Sequence, residues 1–332
     1  IGYGSMNLTT SGTDSVGVGG YTLNQTTTGY SNVAVGFSVL RNNTTAFQNT
    51  GVGAYALRYN TTGQENTGVG EGALYDNTTG SYNVSVGRAA LSNNTTANGN
   101  TVVGHQAALT NTTGFSNVAV GRAALYSNTT GAYNVAIGME ALRANTTATG
   151  SVGVGFRALY NLTSNNNIGI GYQAGFSLTS GNVNTLMGYE AGLDLTTGEQ
   201  NVATGYRSLY EATTADGNTA YGSQTLRNAT SNYGTAVGYV ALTANTSGVN
   251  TAVGSYTLYS NTTGGGNVAV GGYDGTTFSA LNANTTGSYN VAVGTGALQD
   301  NTTANSNTAL GYQTLYLNTT GQNNVAVGDR PL

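Results

Sequence analysis

A glycine returns every seventeen residues. From Gly19 it recurs at Gly36, Gly53, Gly70, Gly87, Gly104, Gly121, Gly138 and Gly155, each step being 17. The series runs on through Gly171, Gly188, Gly205, Gly222, Gly238, Gly254 and Gly271 in steps of 16 or 17, then through Gly294, Gly311 and Gly328. Only the step from Gly271 to Gly294, at 23 residues, is out of line. A fixed short period over a whole chain dictates a repeat architecture rather than several globular domains.

Counted from its glycine, the unit is most complete at residues 121–137. Position 4 is usually Ala and position 5 usually Leu. Positions 8 to 10 read Asn-Thr-Thr, position 11 is often Gly and position 14 often Asn. Positions 15 to 17 alternate aliphatic, small, aliphatic, as in Val118-Ala119-Val120. That alternation has the period of a strand, and seventeen residues cannot hold a helix pair. Leu at position 5 suggests a second short extended stretch. Asn-Thr-Thr-Gly between them is turn chemistry, since Asn and Gly tolerate positive φ.

The expected fold is therefore all-β: a β-solenoid or β-roll of about twenty 17-residue coils in one continuous domain, residues 1–332. Strands stacked at ~4.8 Å would make a rod roughly 90 Å long. The aliphatics at 15 and 17, with Leu at 5, are the expected core. One coil buries too little to fold alone, so stacking must supply the rest. The small residue at position 16 would let another backbone approach, which marks that face as a packing surface between chains.

Composition narrows the function. Gly, Asn and Thr number 51, 42 and 55 of 332 residues; only 7% is charged, and there is no Cys, Trp or Lys. Disulfides and thiolate metal sites are excluded. With nine Arg as the whole basic complement and a net charge of −4, no nucleic-acid patch is expected. No apolar run reaches the ~18 residues of a membrane helix. One His, no Cys and no Lys cannot build a nucleophile–base set, and no acidic column recurs for a metal, so neither catalysis nor a cofactor is expected. His105, at a position other coils give to Tyr or Arg, is read as a surface substitution.

The signature Asn117-Val118-Ala119-Val120-Gly121, repeated at Asn134–Gly138 and Asn290–Gly294, resembles the head repeats of trimeric autotransporter adhesins, and similar repeats occur in phage tail-fibre-like proteins. The resemblance implies a left-handed β-roll with three chains side by side at a cell or virion surface. The adhesin unit is nearer 14 residues, so the extra length here lies in the Asn-Thr-Thr loop. The resemblance implies a structural extracellular fibre or adhesin shaft with copies of itself as partners, in a homotrimer or an end-to-end filament. A receptor- or glycan-binding tail fibre that meets a host surface is the alternative. The chain opens mid-unit at Ile1, stops at Pro331-Leu332 without a cap and shows no signal peptide, which suggests a segment of a longer fibre.

Three features could carry binding or modification. Asn43, Asn60, Asn77, Asn94, Asn111, Asn128, Asn145, Asn245, Asn261, Asn284, Asn301 and Asn318 open Asn-Thr-Thr or Asn-Thr-Ser, the N-glycosylation acceptor pattern. The loops could be sugar acceptors, on Asn or on Thr, or the same Asn could make the turn and stack into hydrogen-bonded ladders. A regular Thr array also admits ice binding, though adjacent threonines on a strand would point to opposite faces. Tyr is frequent at position 6 (Tyr75, Tyr126, Tyr160, Tyr210, Tyr259, Tyr316) and position 2 (Tyr172, Tyr189, Tyr206, Tyr239, Tyr312), as a half-buried rail or a binding strip. The long coil holds a six-residue insertion within residues 272–279, where Tyr273, Asp274 and Phe278 form a candidate contact loop.

Overall fold

Position 15 of one coil lies beside position 15 of the next, in parallel register: Val118 against Val135, Ala119 against Ala136, Val120 against Ile137. The computed structural model describes residues 1–276 and 278–330; Thr277, inside the insertion, and the last two residues lie outside them. Among the described residues there are nineteen strands of three residues each, from Val16–Val18 to Val325–Val327, and no helix. The chain is a parallel β-solenoid of about 18 coils, as the period predicts. It divides into two units, residues 1–166 and 167–332. The first holds the strands from Val16–Val18 to Val152–Val154, and the second those from Ile168–Ile170 to Val325–Val327.

The strand faces the opposite way from expectation. Position 16 points inward: Ala119, Ala136, Val102 and Leu186 are fully buried. Positions 15 and 17 point outward, and Ile137 is 40% exposed. The reason is the width of the coil. Leu at position 5 fills the interior, and a Cβ added at Gly68 or Gly153 would lie 3.2 or 3.1 Å from Cγ of Leu57 or Leu142. Only a small side chain fits opposite a leucine. Where position 16 is larger, position 5 shrinks: Leu186 faces Gly192, in a stretch where position 5 is Gly175 and Gly192, and Val102 is followed by Ala108. The small residue thus completes the core of its own chain instead of forming a packing surface between chains.

Positions 1 to 7 are a run of turns and not a second strand. Ala123 and Leu125, at positions 3 and 5, have φ of 54° and 53°, and this recurs down the chain. Positive φ in a non-glycine costs ~1 kcal/mol or more. Stacking offsets it. The Ala123 N–H donates to His105 O of the preceding coil (3.0 Å), and the Leu125 and Ser127 N–H groups to Ala141 O and Arg143 O of the next (2.9 and 3.0 Å). The irregular segment is therefore laddered along the axis as the strands are. Position 1 is glycine for a related reason. Gly121 has φ +132°, and a Cβ there would sit 2.6 Å from Gly138 O.

Candidate functional site

Asparagines at two positions of the repeat stack into columns in the interior of each unit. At position 8, Asn128 donates its Nδ2 to Gly131 O (2.9 Å) and to Asn111 Oδ1 of the coil before (2.7 Å). Its own Oδ1 accepts from Asn145 Nδ2 (3.1 Å). The same pattern links Asn60, Asn77, Asn94 and Asn111. In the second unit it links Asn245, Asn261, Asn284 and Asn301. At position 14, Asn117 Oδ1 accepts both the backbone N–H (2.9 Å) and the Nδ2 (3.2 Å) of Asn134, while Asn117 Nδ2 donates to Gly131 O (2.8 Å). A buried amide is tolerated only when its donors and acceptor are used, and here the coil above and the coil below use them.

This fixes where the acceptor asparagines lie. Asn43, Asn60, Asn77, Asn94, Asn111, Asn128, Asn145, Asn245, Asn261, Asn284 and Asn301 are at most 1% exposed. Asn318 is half-buried and donates to Gly321 O (3.0 Å). In the folded coil the amide nitrogen that would carry a glycan points inward. The hydroxyls are different. Position 9 threonines hydrogen-bond along the axis, Thr129 Oγ1 to Thr146 O at 3.0 Å, while position 10 threonines such as Thr130 are exposed. Fully buried apolar side chains replace the position 8 amide in some coils: Leu162 in the first unit, and Leu178, Leu195, Ala212 and Ala229 in the second, before Asn245 resumes it.

Positions 2, 3 and 6 form a strip of rings and guanidinium groups. Arg58 lies over Tyr55, Tyr59 and Tyr75 at 5.3–5.8 Å, and its Nη1 donates to the Tyr75 hydroxyl (3.0 Å). Arg143 lies over Tyr126 and Tyr160 (5.2 and 5.7 Å), Arg207 over Tyr206 and Tyr210 (5.1 and 5.0 Å). The buried Nε atoms of Arg41, Arg58, Arg143 and Arg227, all at position 6, have no hydrogen-bond partner among the described residues. Ring faces hold much of this charge. Two position 3 glutamates join the strip: Arg157 Nε meets Glu140 Oε2 and Arg207 Nε meets Glu190 Oε2, each at 2.7 Å. Their burial was not legible from spacing, although Arg one coil on at position 3 was the available signal. His105 is exposed, with Nε2 3.4 Å from Arg88 Nη1.

The insertion closes a cleft of about 340 Å³ lined by Tyr256, Tyr259, Tyr273, Phe278 and Asn282. Tyr256 is its hub, with ring centroids 5.4, 5.8 and 6.0 Å from Tyr239, Tyr259 and Tyr273. Tyr273 and Phe278 are 5.9 Å apart. The insertion is pinned at both ends. Asp274 Oδ1 accepts the Thr276 N–H (2.9 Å), the Tyr273 hydroxyl donates to Gly275 O (2.9 Å), and Ser279 Oγ and Asn282 Nδ2 donate to Tyr256 O (2.5 and 3.1 Å). Desolvation, with Tyr239 and Tyr259 alongside, pushes the Tyr256 hydroxyl above the ordinary phenol value. Of the residues expected to make contact, Tyr273 and Phe278 line the cleft and Asp274 shapes the turn beside it. Tyr256 and Asn282 were not singled out from sequence. Among the described residues no cluster of three or more His, Asp or Glu could hold a metal ion. No protein-family model and no curated protein matches this sequence.

Proposed function

We propose that the chain is a structural shaft, a repeat segment of a fibre at a cell or virion surface. The observation that carries the reading is the uniform axial bonding. Coils within a unit are tied to their neighbours by the strand ladder and by laddered turns, and most of them also by interior asparagine columns, so one 17-residue unit serves as spacer many times over. Solenoids of this kind gain stability by nearest-neighbour stacking and tolerate changes in coil number. The adhesin-like signature supports the surface location. Any glycan coat would sit on the exposed position 10 threonines, because the asparagines face inward.

The experiment is to lengthen the shaft. One, two or three extra copies of residues 121–137 are inserted after Ile137, and the separation of two labels flanking the insertion is measured. A spacer lengthens by ~4.8 Å per coil and keeps its melting temperature. Unfolding of the lengthened chain, or a separation that does not grow, overturns the reading.

A further inference from the structure

The strip at positions 2, 3 and 6 carries seven of the nine arginines over aromatic rings: Arg41, Arg58, Arg143, Arg157, Arg207, Arg227 and Arg330, at 5.0–5.8 Å from a ring centroid. The chain has no lysine, so these are most of its cations. One ring cluster on the strip is different. Around Tyr256 stand Tyr239, Tyr259, Tyr273 and Phe278, and among the described residues no arginine lies over these rings. Position 6, which is Arg in the coils that open at Gly36, Gly53, Gly138 and Gly222, is Asn282 here. The insertion adds Phe278 and opens the 340 Å³ cleft where a guanidinium would otherwise lie.

We propose that this cleft is a binding site for an external organic cation, a trimethylammonium head of the choline type. Ring faces attract a cation through their quadrupole, most strongly when it is poorly hydrated, and aromatic cages are a recurrent way to hold quaternary ammonium groups. The cleft supplies at least four such rings. None of its described lining residues is a cation that would repel the head, and Asp274 adds a negative charge next to Tyr273 in a chain of net charge −4. A small, strongly hydrated ion would lose more on entering an apolar cleft than the rings return. An anionic ligand would find no basic partner there.

The test is saturation-transfer NMR on the intact chain with choline chloride as probe. Its uncharged isostere 3,3-dimethylbutan-1-ol and maltose are comparators, and sodium chloride matches ionic strength. Transfer to the choline methyl protons is expected, with affinity about tenfold above the isostere. Three variants decide the place. Asn282→Arg should abolish binding by seating the chain's own cation over the rings, as position 6 arginines do elsewhere. Deletion of residues 274–279 restores a 17-residue coil and should also abolish it. Tyr259→Ala should weaken it about fivefold. Equal binding of the isostere, binding of maltose but not choline, absence of transfer from choline, or binding that survives Asn282→Arg each overturns the proposal. Co-sedimentation with phosphatidylcholine vesicles, run in parallel, separates the two sources of the head. Sedimentation that Asn282→Arg abolishes supports a head presented on a membrane, and choline binding without sedimentation supports a soluble one.

Discussion

An asparagine inside this solenoid is a three-way junction, and its removal should cost accordingly. Asn128 makes two donor bonds, to Asn111 Oδ1 and Gly131 O, and its Oδ1 accepts one from Asn145. Asn128→Ala leaves a buried carbonyl and two amide groups short of partners. At ~1–3 kcal/mol per unsatisfied buried group, with partial relaxation, a loss of ~2–4 kcal/mol is expected, read as a lower denaturant midpoint. Thr130→Ala, on the exposed position two residues on, should stay within ~0.5 kcal/mol. Equal effects would deny the amide column its structural role. Charge obeys the same rule of burial. Desolvation, with Glu211 and Glu190 adding like charge, raises the Asp194 carboxyl above its ordinary value. The folded state then holds the proton more tightly than the unfolded chain. Stability falls as pH rises from the unfolded value of ~3.9 to the raised folded value, and the penalty persists above it. Asp194→Asn should therefore raise the midpoint at pH 7, modestly because the side chain is partly solvated, and the gain should vanish below about pH 3.9. A gain that grows in acid would contradict the assignment.

The strand and the turn opposite it are matched in size, and the match can be broken and repaired. Leu186 at position 16 is accommodated because position 5 is Gly175 and Gly192; a Cβ at Gly192 already lies 2.9 Å from Leu186 Cδ2. Gly192→Leu restores the leucine that most coils carry there, yet in this coil it should destabilise by ~1–3 kcal/mol through overpacking. Leu186→Ala in the same chain should recover most of that loss, a coupling that equilibrium unfolding of the two single variants and the pair would measure. Additive effects would mean that the two positions do not share the core. The pair also shows what could be read in advance. The glycine period and the three-residue strand follow from spacing alone, because a close backbone approach and a period of two leave plain marks. The direction of the strand does not. Val outside and Ala inside inverts the usual preference, and only the steric limit set by Leu at position 5 explains it. The reciprocal pairs Leu186 with Gly192 and Val102 with Ala108 were in the sequence as a signal of that limit. Leucine at positive φ left no mark, since it is held by hydrogen bonds to other coils. At the candidate site, Tyr273 and Phe278 were legible as an insertion. Tyr256 and Asn282 enter it only through the fold, and the missing arginine is visible only beside the coils that have one.

At the scale of the molecule the outward strand positions set how copies could meet. Along each unit the outer strand face presents rows of Val and Thr, with Val202, Val268 and Val291 in the second unit 37–40% exposed and Val84, Val103 and Ile137 37–40% exposed in the first. Part-exposed aliphatic rows beside a parallel ladder are the kind of surface through which copies of a chain with so little charge would associate. A trimer, as the adhesin-like signature implies, would bury these rows and leave the arginine–tyrosine strip and the position 10 threonines on the outside. Light scattering on the eluting protein should then give three times the chain mass of 33.6 kDa. The variant Val103→Lys/Ile137→Lys places charges on two outward side chains. Neither reaches the interior, so the single-chain fold should survive with its strand circular dichroism intact. A buried, unpaired ammonium costs several kcal/mol at each contact, and three copies meet at the face, so the mass should fall to that of one chain. A wild-type mass of 33.6 kDa would remove the trimer and leave a single-chain shaft. A trimer that tolerates both lysines would move the contact to another face, and the strip of rings, repeated from coil to coil, would be the next surface to charge.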